Sequence, residues 1–153
     1  MKEELDNKLV KAFPLLYGDR NAPKQLTAMC WGFPGDGWFD IIWDLSSKLE
    51  PIIQKIVNNN PNLSCDEYKG SYPKAFQVKE KFGGLRFYMT CGTDEIYDLI
   101  SKAEALSCKT CEVCGKPGEK RHSGWIHTHC DDCHKNWNKI RAKRRETLRV
   151  AKI

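Results

Sequence analysis

Apolar residues recur at three- and four-residue steps along "GDGWFDIIWDLSSKLEPIIQKIVNN", where Trp38, Ile42, Leu45, Leu49, Ile52, Ile53 and Ile56 form the clearest helical stripe in the chain. Asp36 suits the N-cap, since a carboxylate can accept from the free N–H groups of a first turn. Pro51 lacks an N–H and crowds the preceding turn, so a kink or restart is expected near Glu50, and "NNNPN" ends the helix. A shorter stripe of Leu5, Leu9, Val10 and Phe13 predicts an amphipathic helix over residues 3–13. A third helix is predicted after Thr93, with Asp94 and Glu95 in its first turn and Ile96, Leu99, Ile100, Ala103 and Leu106 as its stripe. From Lys74 the period falls to two: Phe76 and Val78 alternate with Gln77 and Lys79, and Leu85, Phe87 and Met89 alternate with Arg86 and Tyr88. The Gly83-Gly84 pair between the runs predicts a β-hairpin, because a tight turn of the favoured hand needs positive φ. Its apolar face is expected to cover the long helix. Residues 14–37 are rich in Pro, Gly, Asn and Asp but carry Leu15, Leu16, Tyr17, Met29, Trp31 and Phe33, which predicts an ordered loop.

The 153 residues suffice for one domain or for a body of about 100 residues with a small appendage, and the natural boundary separates residues 1–107 from 108–153. The opening "MKEELDNKLVKAF" has acids where a signal peptide carries its basic region, and no apolar run approaches the roughly 20 residues that cross a bilayer. The expectation is a cytoplasmic protein with no membrane partner. In that compartment clustered cysteines point to metal rather than to disulfides or a disulfide-linked partner.

Five of the eight cysteines lie between 108 and 133. Cys111 and Cys114 are two residues apart, fifteen residues follow, and Cys130 and Cys133 repeat the spacing, which is the pattern of a four-thiolate zinc site. Two sulfurs of one C-x-x-C turn reach two corners of a tetrahedron, and a second turn supplies the others. Gly115 follows Cys114 where the chain must leave the knuckle, which favours the pair 111 and 114 over Cys108. Cys30, Cys65 and Cys91 read as small buried or half-buried thiols.

"CEVCGK" reads as a knuckle, "GWIHTHC" as a strand and "DDCHKNWNKIRAKRRETLRV" as a helix, the order of a treble-clef finger, which this segment resembles. A site closed by four thiolates has no open position for catalysis, and the H-x-E signature of zinc deaminases is absent. Nucleases of the HNH type share the treble-clef shape, and His127, His129, His134, Asn136 and Asn138 are of the right types. The order departs from that pattern, since no histidine follows His134 on the helix. His127 and His129 are therefore expected to be exposed or to serve as alternate ligands.

Residues 135–153 carry eight basic side chains against the single acid Glu146, a net of +7, while the other 134 residues hold 17 basic and 19 acidic side chains, a net of −2. Lys139, Arg141, Lys143, Arg144, Arg145 and Arg149 thus form a basic helix suited to phosphate backbones, with little apolar surface after Ile140. Lys79, Lys81, Arg86 and Tyr88 fall on the hairpin face opposite Val78, Leu85 and Phe87, where a ring among cations can stack on a base or nucleotide. Trp31, Phe33, Trp38 and Trp43 surround the Gly-rich loop and offer either core or a partner surface. Asp36, Asp40 and Asp44, four residues apart, read as a solvated helix edge.

Taken together, "MCWGFPGDGWFDIIWDLSSKLEP", "QVKEKFGGLRFY" and "CEVCGKPG" resemble a group of small, functionally unassigned proteins of tailed bacteriophages and prophages. The resemblance implies expression in an infected bacterial cytoplasm and an accessory role on host or defence machinery, and it brings no catalytic residue. The combined expectation is an α+β fold, helices on a β-hairpin followed by a treble-clef-like zinc finger with a basic C-terminal helix. Its function is expected to be non-enzymatic binding of nucleic acid or a nucleoprotein complex. The alternatives are an inhibitor that binds a host defence protein or sequesters a nucleotide signal, and an HNH-like metal-dependent nuclease.

Overall fold

Helix α2, Phe39–Asn59, runs through the centre of the protein and buries Ile41, Ile42, Leu45, Leu49 and Ile53 along one face. The computed structural model describes residues 1–59, 72–122 and 124–150; Cys65 and part of "NNNPN" lie outside them. Helices α1 (Glu3–Ala12) and α3 (Asp94–Ser107) pack on α2, and the hairpin β1–β2 (Ala75–Lys81 and Gly84–Met89) packs on α3 and adds Val78, Leu85 and Phe87 to the same core. A second antiparallel hairpin, β3–β4 (Glu119–Arg121 and His127–His129), leads into α4 (Asp131–Val150), so the fold is α+β with four helices and two small hairpins among the described residues.

Pro51 lies inside α2 without ending it. The preceding residue, Glu50, explains part of its setting: its carboxylate accepts from the N–H groups of Leu15 at 2.9 Å and Leu16 at 2.8 Å, tying the long loop to the helix. Asp36 is not the N-cap of α2. It lies in a 3-10 turn, Asp36–Trp38, and its carboxylate accepts from the Lys2 N–H at 2.7 Å, so it fastens the N-terminus instead. Thr93 caps α3 as expected, accepting from the Ile96 N–H.

The two-residue turn between β1 and β2 consists of Phe82 (φ 53°) and Gly83 (φ 72°), with Lys81 paired to Gly84. Both central residues take positive φ, as the hairpin turn that matches strand twist requires. Gly84 is thus the first residue of β2, not part of the turn. The strict alternation predicted for β1 fails at Phe76, where the register shifts between Ala75 and Gln77. That bulge leaves Phe76 exposed while Ala75 and Val78 are buried, and the Phe76 carbonyl accepts from the Ala28 N–H and the Thr27 hydroxyl.

The outer edge of β2 is covered by α3. The Leu85 N–H donates to the Ser107 hydroxyl at 2.8 Å and the Phe87 N–H to the Glu104 carboxylate at 3.0 Å, so neither edge donor is left for another strand. Leu106, assigned to the buried stripe from its spacing, is exposed, and Ser107 takes the inward position.

Residues 1–107 and 108–150 meet through close backbone contact. The Trp38 indole N–H donates to the Thr110 carbonyl at 2.8 Å, the Gly37 N–H to the Glu112 carbonyl at 3.0 Å, and the Thr128 hydroxyl to the Gly83 carbonyl. A Cβ on Gly37 would stand 2.2 Å from the Cys111 carbonyl oxygen and 2.5 Å from the Gly115 nitrogen. Backbone atoms cannot yield as a flexible side chain does. Gly37→Ala is therefore expected to lower stability by at least about 1–3 kcal/mol, the usual cost of overpacking, read as a drop in the thermal unfolding midpoint; an unchanged midpoint would show that this contact is loose.

Candidate metal centre

Two backbone turns bring four sulfurs together. Cys111 and Cys114 belong to a knuckle closed by the Gly115 N–H donating to the Cys111 carbonyl at 2.9 Å, with Gly115 at φ 76°, the conformation that its position after Cys114 anticipated. Cys130 and Cys133 open α4, where the His134 N–H donates to the Cys130 carbonyl at 2.9 Å. All four sulfurs lie within 4.8 Å of one another. Cys114 and Cys130 are 3.6 Å apart, against an edge of about 3.8 Å for a tetrahedron with metal–sulfur bonds of about 2.3 Å. No disulfide joins the described cysteines.

The electrostatics of this group favour a cation. Hydrogen bonding from the Cys133 N–H brings the Cys130 thiol down to about 7, the effect of a helix N-terminus on a nearby sulfur. Burial, reinforced by the neighbouring sulfurs, pushes the Cys133 thiol well up. Four thiolates this close cannot all ionise without positive charge among them, and a divalent ion supplies it while releasing protons. The set is closed: four sulfurs fill a tetrahedron, which suits a metal that holds the fold rather than one that binds substrate. Cys108 stands apart from the cluster, at the end of α3 beside Gly84.

The histidines differ from expectation. His127 and His129 are not exposed but almost wholly buried, and with His134 they form a group of their own instead of serving as alternates to the sulfurs. Their environment was not legible from the sequence, because it depends on Glu112 and Trp137. The Glu112 carboxylate lies 3.2 Å from His129 Nε2, and Trp137 packs on His127 at 4.3 Å between ring centres. Burial lowers His129 to about 4 and raises Glu112 to about 7, so burial works against an ion pair between them.

The basic residues divide. Lys139, Lys143, Arg144, Arg145 and Arg149 are exposed on α4, and no ion pair engages them among the described residues. Arg141 lies over the Trp137 ring at 4.4 Å. On the hairpin, Lys79 pairs with Arg86 across the strands, and Lys79 lies over the Tyr88 ring, as the shared face predicts. Arg86, however, faces the Glu104 carboxylate at 3.4 Å, which offsets its charge. Lys81 lies over the Phe82 ring at the turn. Trp31 is 72% exposed and lines a cleft with Lys79, Glu80 and Glu112. Trp38 must be removed from any partner surface: it is fully buried, because its indole carries the hydrogen bond to Thr110 that joins the two halves.

Cys111→Ser is expected to abolish metal binding and unfold the C-terminal third, whereas Cys108→Ser leaves the metal content unchanged; elemental analysis with circular dichroism checks both. Compared with protein-family models, curated proteins and solved structures, the chain matches none, so its functional reading rests on its own residues.

Proposed function

We propose that the protein is a non-enzymatic binding protein in which zinc, held by Cys111, Cys114, Cys130 and Cys133 in a treble-clef-like finger, anchors a basic helix that engages nucleic acid or a nucleoprotein complex. The setting is the one the phage resemblance implies, an infected bacterial cytoplasm. Among the described residues, no helix is long and apolar enough to cross a membrane. Zinc is the metal that four thiolates at this spacing suit best.

The observation that carries the reading is the far half of α4. From Ala142 to Arg149 every residue is exposed, a projection of roughly 12 Å at the usual helical rise. Lys139 and Lys143 share one face and Arg141, Arg145 and Arg149 another, so positive charge surrounds the axis. Such a distribution suits phosphates on more than one side and offers no set of side chains for reading base edges. Binding is therefore expected to be insensitive to sequence and steeply weakened by salt.

A second reading, contact with a host defence protein, is supported by Trp31, whose exposed ring stands beside Lys24 at the mouth of the cleft lined by Lys79. Glu80 and Glu112 in the same cleft make it less suited to a nucleotide phosphate.

One titration tests the nucleic-acid reading. Affinity for duplex DNA and for RNA is measured against salt for the native chain, for a Lys143→Gln, Arg144→Gln, Arg145→Gln, Arg149→Gln variant, and for Trp31→Ala. The expected result is binding at low salt whose logarithmic slope falls by about 0.9 for each phosphate contact removed from duplex DNA, with Trp31→Ala unchanged. Absent binding, or binding untouched by the four substitutions, contradicts the reading.

A further inference from the structure

We propose that His127, His129 and His134 form a second divalent-metal site, separate from the sulfur cluster, with one ring nitrogen from each as ligand and a fourth position left to water.

The three rings are set by two elements. His127 and His129 are alternate residues of β4 and so lie on the same face of the strand, 4.0 Å apart between ring centres. His134, in the first turn of α4, brings its Nδ1 to 3.2 Å from His127 Nε2. One nitrogen from each ring lies within 4.8 Å of the others. A tetrahedral site with metal–nitrogen bonds of about 2.05 Å has edges of about 3.3 Å. One pair is already at that separation, and side-chain rotation of about an ångström and a half closes the rest.

The far nitrogens supply the stronger argument. A metal-binding histidine as a rule engages its other ring nitrogen with a carboxylate, a backbone carbonyl or another polar group that fixes tautomer and orientation. All three do so here. His127 Nδ1 lies 2.9 Å from the Trp125 carbonyl, which makes it the N–H and leaves the Nε2 lone pair facing His134. His129 Nε2 lies 3.2 Å from the Glu112 carboxylate. His134 Nε2 lies 3.1 Å from the Asn138 amide, and turning that amide by 180° places its oxygen to accept from the ring. The remaining nitrogen of His129, Nδ1, is buried with no hydrogen-bond partner, although the residue is only 2% exposed. Burying an unpaired polar nitrogen costs on the order of 1–3 kcal/mol. A metal ion held at that nitrogen would remove the cost.

The surroundings fit a small cation. Trp137 packs over the group and limits solvent, while Glu112 offers a carboxylate behind His129. The nearby Arg121 is engaged by Glu119 at 2.7 Å and Asp131 at 2.6 Å. Three imidazoles suit zinc, and equally cobalt(II) as a spectroscopic probe. Three protein ligands, rather than four, leave the fourth corner to an exchangeable oxygen, at the root of the helix that carries the basic residues.

The full chain, with any affinity tag removed, is titrated with zinc after chelation under reducing conditions. Two equivalents are expected, and the second is lost in both His127→Ala and His134→Gln while the first remains. Glu112→Ala is expected to weaken the second site by about 10–100-fold without touching the first. Cobalt(II) added to the chain holding one zinc is expected to give visible d–d bands without the near-ultraviolet charge-transfer band of thiolate ligation. A single equivalent in the native chain overturns the proposal, and so does a second equivalent that survives both histidine substitutions. Where a variant fails to fold, the cobalt(II) spectrum of the native chain still distinguishes imidazole from thiolate ligation of the second equivalent, and a thiolate charge-transfer band there overturns the proposal.

Discussion

Four cysteine sulfurs within 4.8 Å of one another are tolerable as thiols or around a cation, but not as free thiolates. The geometry of the C-terminal half follows from that constraint. Closing the first C-x-x-C turn forces the positive φ at Gly115, and closing the second starts α4 at Asp131, aiming its long axis away from the body. The knuckle is also a wall for the rest of the protein. The loop carrying Gly35 and Gly37 packs directly on its backbone, with room for no side chain at either position, and Trp38 donates into Thr110 just before Cys111. A small hairpin and a helix with little apolar surface could not order themselves on hydrophobic burial alone. The shared backbone contacts, together with a metal held by the four sulfurs, would supply the order.

The sequence made the individual elements legible because each depends on local periodicity. The stripe of α2, the hairpin, the Thr93 cap and the Cys111, Cys114, Cys130, Cys133 quartet all follow from spacing. What spacing does not carry is which of two compatible partners a polar group takes. Asp36 is suited to capping a helix and instead accepts from Lys2, and Glu50 looks like a surface acid before a proline yet holds two backbone donors of a loop more than thirty residues away. Trp38, by its spacing, suits the core and also a partner surface. Its burial depends on the carbonyl of Thr110, 72 residues on. The bulge at Phe76 belongs to the same class, since its carbonyl is claimed by the loop at Thr27 and Ala28.

The histidines illustrate the limit most clearly. In the sequence, "HTHC" and "CHKNWN" are neighbours of metal ligands and read as spares. In three dimensions β4 and the first turn of α4 contribute to two separate groups, one of sulfurs and one of imidazoles, with Glu112 of the knuckle reaching the imidazole group. Two donor sets of different softness thus share one small scaffold, the closed one suited to structure and the three-nitrogen one with a corner to spare. Beyond them α4 carries its cations into solvent.

The central claim is that the metal knuckle and the body form one cooperative unit, and amide hydrogen exchange with and without chelator tests it most directly. Metal removal is predicted to raise exchange at the knuckle and also at Gly37, Trp38 and Gly83 in the body, which meet Glu112, Thr110 and Thr128 respectively. If exchange rises only beyond residue 108 while those body amides keep their protection, the two halves are independent and the account is wrong.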